Sequence, residues 1–295
     1  MRPIVALVQS KGHYEGVFEA LNLIENQISE DIKGKKKILV KPNFVSVHRQ
    51  LAATHVDAVR AILDIISKYY SGKIIIGEGP SFSRLKEGLV NFNFLKLQRD
   101  YNVDFVDLNE DDSVEIEIAD PHVGLNKFHI SKLVVDSDYR ISVALPKTHD
   151  CVITTLAIKN MVVGSLGGRN TTNEKWKIHQ GPKVMNFLLA KLALKVMPHL
   201  GVIDGFQGME GRGPTGGDPV DLRVAAASSF PVSLDAVMNV VMGFNPFDIG
   251  YLYYLNEWDA GTIDVNEIEV IGVPVESVMR KFRPHPEYRE MLKWK

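Results

Sequence analysis

The chain has 295 residues, 45% apolar and 24% charged, with a formal net charge of −2. That is enough to bury a sizeable core, and it offers no overall basic footprint for DNA or RNA. Cys151 is the only cysteine, which excludes an internal disulfide, a thiolate zinc cage and an iron–sulfur cluster held by this chain alone.

No apolar run approaches the ~20 residues that span a bilayer. The opening Met1 to Val8 is too short for a signal peptide, and the final Lys-Trp-Lys carries no lipidation box. A cytoplasmic chain with no membrane partner is the expectation. Residues 4–8 read as a buried strand, followed by a helix over 16–28 that places Val17, Leu21, Ile24 and Ile28 on one face. A second strand at 38–40 stops at Lys41-Pro42-Asn43, because proline cannot donate to a ladder.

Thr54 then reads as the N-cap of the best-patterned helix, with Asp57 in its first turn and Val56, Val59, Ile62, Ile66 and Tyr69 at helical spacing. Residues 73–76 form a strand closed by Gly77-Glu78-Gly79-Pro80. Strand, helix, strand at this spacing marks a right-handed parallel crossover. Further strands are expected at 104–106, 141–145, 200–203, 224–227 and 268–271, and helices at 184–194 and 234–242. Residues 114–131 alternate apolar and polar as an antiparallel hairpin does. The Gly- and Lys-rich stretch 164–182 reads as a long surface loop, and 205–219 as a second, glycine-rich one. The expected architecture is one α/β domain over 1–295, with a mixed, largely parallel sheet flanked by helices and a small antiparallel hairpin.

Four polar clusters lie just past predicted strand ends, where open α/β sheets bind ligands. They are Lys41-Pro42-Asn43, Glu78-Gly79-Pro80, Lys147-Thr148-His149 and Asp204-Gly205. Turn chemistry explains each one singly; four at equivalent places argue for a shared site. Thr54-His55 opens a helix whose free N–H groups suit an anion, although simple capping accounts for Thr54. Lys159-Asn160 falls within a predicted helix. With Arg169, Lys175, Lys177, His179 and Lys183 it makes a basic stretch that could clamp phosphate or carboxylate, or be a solvated loop. Trp176 is the only aromatic there, which ranks nucleic acid lower. Asp204 and Glu210 are two carboxylates on a glycine-rich frame that could hold Mg²⁺ or Mn²⁺. Ser233 reads as a helix cap with Asp235 in the first turn, and Cys151 as a small buried hydrophobe.

Taken in order, Lys41-Pro42-Asn43, Thr54-His55, Gly77-Glu78-Gly79-Pro80, Pro146-Lys147-Thr148-His149, Lys159-Asn160, His179 and the segment from Asp204-Gly205 to Gly213-Pro214 resemble the prokaryotic family catalogued as domain of unknown function 362. The likeness covers roughly residues 38 to 250. It implies no settled activity. Some relatives carry ferredoxin-like four-cysteine motifs, which imply redox roles. With Cys151 alone this chain departs from them, and Glu78 stands where the family's Gly-Asp-Ser-Pro-like turn has its usual acid.

The functional expectation is an enzyme acting on a small anionic metabolite that bears phosphate or carboxylate. Lys41, Asn43, Lys147, Thr148, Lys159, Asn160, Arg169 and His179 would bind it, and His149 or His55 would act as acid or base beside Glu78. Asp204 and Glu210 would hold the divalent ion. The alternatives are a redox accessory protein binding an external cofactor or partner, and a nucleic-acid binder using the basic loop. Residues 252–258 could pack at a dimer surface or in the core, which leaves homo-oligomerisation open.

Overall fold

The computed structural model describes residues 2–81, 83–172 and 174–295. Twelve strands occur among them: β1 (Ile4–Gln9), β2 (Ile38–Lys41), β3 (Ile74–Glu78), β4 (Val103–Asp107), β5 (Ser113–Asp120), β6 (Gly124–Ser131), β7 (Tyr139–Ala144), β8 (Lys147–His149), β9 (Ile153–Thr155), β10 (Leu200–Glu210), β11 (Asp218–Ser228) and β12 (Glu269–Gly272). The main sheet runs β12-β1-β11-β10-β7-β2-β3-β4. Its β10-β7-β2-β3-β4 half is parallel throughout. β11 is antiparallel to both of its neighbours, and β5 and β6 form a separate hairpin. The mixed, largely parallel fold with its small hairpin is therefore present.

Both faces of the sheet are covered, as parallel strands require. Along β1, Val5 and Leu7 enter one apolar core while Ala6 and Val8 enter the other, the alternation a strand imposes. Helices α1 (His13–Leu23) and α2 (Val56–Ile66) pack on one face. Helices α3 (Ala157–Ser165), α4 (Pro182–Val196) and α5 (Pro231–Val241) pack on the other.

Several expectations need correcting. The helix expected over 16–28 breaks at Ile24, which sits at φ −116°, ψ 17° between two helices; Leu21, Ile24 and Ile28 stay in one core across the break. Thr54 does not cap α2. His55 does, its Nδ1 accepting from Asp57 N at 3.2 Å, and the Thr54 hydroxyl instead bridges Asn43 N and Val143 O. The stretch 164–182 is not structureless: Leu166 bridges to Ile130, Glu174–Lys177 is a helical turn, and Ile178 is fully buried. The glycine-rich segment after Ile203 continues as β10 as far as Glu210, because β11 supplies ladder partners along it. Leu252 and Leu255 are core residues of a helix, Gly250–Glu257.

Candidate functional site

β2, β3 and β7 end side by side, and the small β8–β9 hairpin and α3 close over their C-terminal ends. Lys41 is the last residue of β2 and Glu78 the last of β3. Their side chains form a fully buried ion pair. Lys41 Nζ also donates to Asn160 Oδ1 at 2.9 Å and to Pro42 O at 3.1 Å. Glu78 Oε1 accepts from Phe44 N at 3.2 Å. Asn160 Oδ1 receives a second donor, Asn43 Nδ2, at 3.1 Å, which uses both of its lone pairs. Asn160 Nδ2 in turn donates to Ser142 Oγ at 3.0 Å. Lys147 Nζ donates to Asn43 Oδ1. One network thus joins the ends of three strands to α3, and buried polar groups hold such a geometry because leaving any of them unpaired is costly.

Gly164 makes room for this network. A Cβ there would lie 2.1 Å from Lys41 Nζ, so the α3 backbone approaches the ammonium only because residue 164 has no side chain.

Above this floor lies a cavity of about 180 Å³, lined among others by Asn43, Glu78, His149, Asp150, Thr155, Lys159, Asn160, Lys175, Trp176 and His179. Lys159 projects into it from α3. It is 6% exposed, and among the described residues its Nζ has no hydrogen-bond partner. Lys175 Nζ reaches Asn109 Oδ1 at 2.6 Å. Burial lowers every amine here. Lys147 falls to about 7, with Lys159 adding repulsion; Lys159 and Lys175 each fall to about 8; Lys41 is lowered despite Glu78. Buried ammonium ions are disfavoured unless an anion compensates them. Lys159 and Lys175 line the cavity with Glu78 and Asp150, and Lys41 and Lys147 lie beneath it, so the cluster as a whole holds four amines and two carboxylates.

His149 is buried and pushed down to about 3, first by burial and then by Lys159. It is therefore a neutral imidazole at physiological pH. Its Nδ1 accepts from Cys151 N at 3.0 Å and lies 3.0 Å from Asp150 Oδ1. Accepting from Cys151 N asks for a bare Nδ1, whereas a hydrogen bond to Asp150 Oδ1 asks for a proton on it, so the two neighbours compete for this nitrogen. His179 lies 6.3 Å away, centroid to centroid, with its Nδ1 2.6 Å from Lys175 O. The Cys151 thiol is pushed up to about 12 by burial and by Asp150, which keeps it protonated and a poor nucleophile.

The structure brings together Lys41, Asn43, Glu78, Lys147, His149, Lys159, Asn160 and His179. It does not bring the other named residues there. Thr148 is buried with its hydroxyl on Gly211 O at 2.9 Å, facing away. Arg169 is exposed and touches Glu110 O. His55 stacks on His13 at 4.1 Å, and His13 Nδ1 lies 2.7 Å from Asp204 Oδ2. Glu210 accepts from Arg283 N at 2.9 Å. Asp204 and Glu210 are six residues apart on an extended strand, about 20 Å, too far to share one ion. Reading the segment as a flexible loop is what had put them together. Three site residues were passed over by the sequence reading. Lys175 was counted only as part of the basic stretch, and Asp150 and Gly164 were not weighed at all. The cue for Asp150 was its place next to His149.

Comparison with known proteins adds the following. The profile of the family described as "Domain of unknown function (DUF362)" matches residues 38–239. Thylakoid-associated protein sll1697 of Synechocystis sp. is 25% identical over 222 residues, 74% of this chain and 66% of that protein. Among solved structures, the lactate racemase apoprotein from Thermoanaerobacterium thermosaccharolyticum superposes with a TM-score of 0.52 at 17% identity, over 82% of this chain and 57% of that one. The chain thus spans just under two thirds of the first protein's length and little more than half of the second's. The structural likeness is one of fold. Among the described residues no helix is long and apolar enough to cross a membrane.

Proposed function

The chain belongs to the family of the Domain of unknown function (DUF362), and we propose, from its strand-end site, that it is an enzyme acting on a small metabolite bearing a phosphate or carboxylate group. The observation that carries this reading is Lys159: an amine 6% exposed, without a hydrogen-bond partner among the described residues, lining a cavity with Lys175 above the buried Lys41 and Lys147. An anion would pair with Lys159 and Lys175, relieving the desolvation that holds both down. His149, a neutral imidazole, would serve as the general acid or base. Glu78 and Asn160 orient Lys41, and Asn43 orients Lys147. The solved fold neighbour bears the name of an enzyme of a carboxylate substrate, lactate; the reading rests on the residues themselves.

The test is isothermal titration with inorganic phosphate and with a panel of small carboxylates, against wild type and Lys159→Met. Losing one partner of a buried charge pair costs about 2–5 kcal/mol, so affinity should fall at least about 30-fold. The free variant should be more stable than wild type. The fall of Lys159 from 10.5 to about 8 means burial of its charge costs about 3 kcal/mol near neutral pH. The sign of the pH dependence follows. Between about 7 or 8 and 10.5 the unfolded chain holds more protons on these lysines than the folded one, so the free protein gains stability as pH rises through that window. Anion affinity falls across the same window. Equal affinity in Lys159→Met, or a free protein whose stability drops from pH 7 to 10, would sink the proposal.

A divalent ion is a second use of part of this site, at a different place from Asp204 and Glu210, with His149 then a ligand and not the general acid or base. His149, Asp150 and Cys151 each offer a ligand atom, all within 4.8 Å of one another. A nitrogen, oxygen and sulfur set favours zinc-like ions over Mg²⁺ or Mn²⁺. Zinc added to metal-free protein should bind at one site and release protons, and Cys151→Ser should weaken that binding at least tenfold. Unchanged binding in the serine variant would remove the ion from this place.

A further inference from the structure

Two helices on one face of the sheet begin side by side. His13 is the first residue of α1, and His55 is the residue that caps α2. Their rings lie face to face, 4.1 Å between centroids and 9° from parallel. His13 Nδ1 lies 2.7 Å from Oδ2 of Asp204, a buried residue of β10. An ionised carboxylate only accepts, so His13 carries a proton on Nδ1. His55 is placed the opposite way. Its Nδ1 accepts from Asp57 N at 3.2 Å, so that nitrogen is bare and the neutral ring has its proton on Nε2.

The two rings are therefore not equivalent toward acid. A second positive charge stacked on the first is opposed by repulsion, and both helix N-termini already favour negative charge there. Other charges face the pair. Glu15 and Asp57 add negative charge and Arg60 positive, and Lys11 lines the same cleft as His13. Burial opposes the charged form of both rings. For His13 the hydrogen bond and charge of Asp204, with Asp57 and Glu15, outweigh burial and raise its pKa above the ordinary 6.5. For His55 the charge of His13 adds to burial, and its pKa is lowered below 6.5 despite Asp57 and Asp204. On acidification His13 takes its proton first and His55 second.

That second proton has one place to go, the bare Nδ1 that serves as the cap. It turns the cap's acceptor into a donor. Asp57 N–H loses its partner, and the new N–H faces the Asp57 carboxylate instead, whose Oδ2 lies 3.5 Å away. The effect reaches the strand-end site through the preceding residue. Thr54 N donates to Asn43 O at 2.8 Å, and the Thr54 hydroxyl accepts from Asn43 N and donates to Val143 O. Asn43 in turn holds Asn160 and Lys147.

We infer that the stacked His13–His55 pair is a proton-operated latch: neutral His55 holds the start of α2 and the Thr54–Asn43 contact in place, and its protonation beside a charged His13 releases them. The latch acts on the position of Asn43 whatever the cavity binds.

NMR of the full chain from about pH 8 to about pH 5, following histidine ring and backbone amide signals, tests this. His13 should titrate above 6.5 and His55 below it, and the amides of Asp57, Thr54 and Asn43 should shift with the second inflection. His13→Asn removes the stacked charge, so the His55 inflection should move up toward 6.5 and the three amides should follow it. His55→Asn keeps a capping side chain that does not titrate. It should fold as wild type does, with those amides still over the His55 range. Chemical denaturation gives an independent reading. His55 binds its proton more weakly folded than unfolded, so wild type should lose stability below pH 6.5 more steeply than His55→Asn. A His55 inflection unmoved by His13→Asn overturns the inference, and so do amide shifts that persist in His55→Asn. Either failure leaves the anion reading standing, since that rests on Lys159.

Discussion

Replacing Glu78 with leucine should destabilise the protein by about 3–5 kcal/mol, the cost of stranding one member of a fully buried ion pair. Among the described residues, Glu78 is the only carboxylate that Lys41 touches. Without it, Lys41 keeps Asn160 Oδ1 and Pro42 O but loses its compensating charge, and Phe44 N loses its acceptor. The damage should extend to the candidate site, since Lys41 shares Asn160 with Asn43, and Asn43 holds Lys147. Chemical denaturation reads the effect as a lower midpoint at an unchanged slope. The double variant Lys41→Met, Glu78→Leu should recover much of the loss, because a buried pair replaced by apolar residues is often neutral or better. A Glu78→Leu loss below about 1 kcal/mol would mean that the pair is not held in the folded protein as described.

The second large effect is expected at Asp235. This side chain is fully buried in α5 and caps a different helix: its two oxygens accept Ala157 N at 3.0 Å and Ile158 N at 3.1 Å, the first turn of α3. Asp235→Ala leaves both donors buried without acceptors and opens a void. About 2–4 kcal/mol is the expected loss. Because α3 carries Lys159 and Asn160, anion affinity should fall with it.

Burial pushes the Asp235 carboxyl up to about 7, against the pull of the two N–H donors. Its folded value lies above its unfolded one, so the folded protein holds this proton more tightly. The contribution is therefore greatest below about pH 4 and is lost as pH rises to about 7. Wild type should lose stability over that range by an amount that Asp235→Ala does not show. Matching pH profiles for the two proteins would contradict this assignment.

What could be read from the sequence, and what could not, follows from distance along the chain. Lys41 and Glu78 were legible because each ends a strand next to a proline or glycine, and His149 because Pro146-Lys147-Thr148 leads into it from a strand end; these local signals also give the side of the sheet. Lys159 and Asn160 were found by their motif and charge, though nothing local showed that they point inward. Asp235 was read only as a first-turn acid of its own helix, with Ser233 as the cap, because its partners lie 77 and 78 residues away. His55 was placed at the site as a helix-opening residue. Tertiary packing instead gave it His13, the first residue of α1. Arg169 was counted by charge alone, and charge does not tell a solvated loop residue from one that turns into a cavity. The sheet itself was readable because parallel strands buried on both faces form short, nearly continuous apolar runs.

The buried lysines have a consequence for how this protein would change under selection. Each one folds against a penalty that a methionine would not incur. Selection that rewarded folding alone would be expected to erase Lys159, Lys147 and Lys175 early, while the surrounding Leu, Val and Ile residues stayed. A library sorted only for heat resistance would then outline the proposed anion site in negative, as the set of positions where the starting residue is the worse choice for stability.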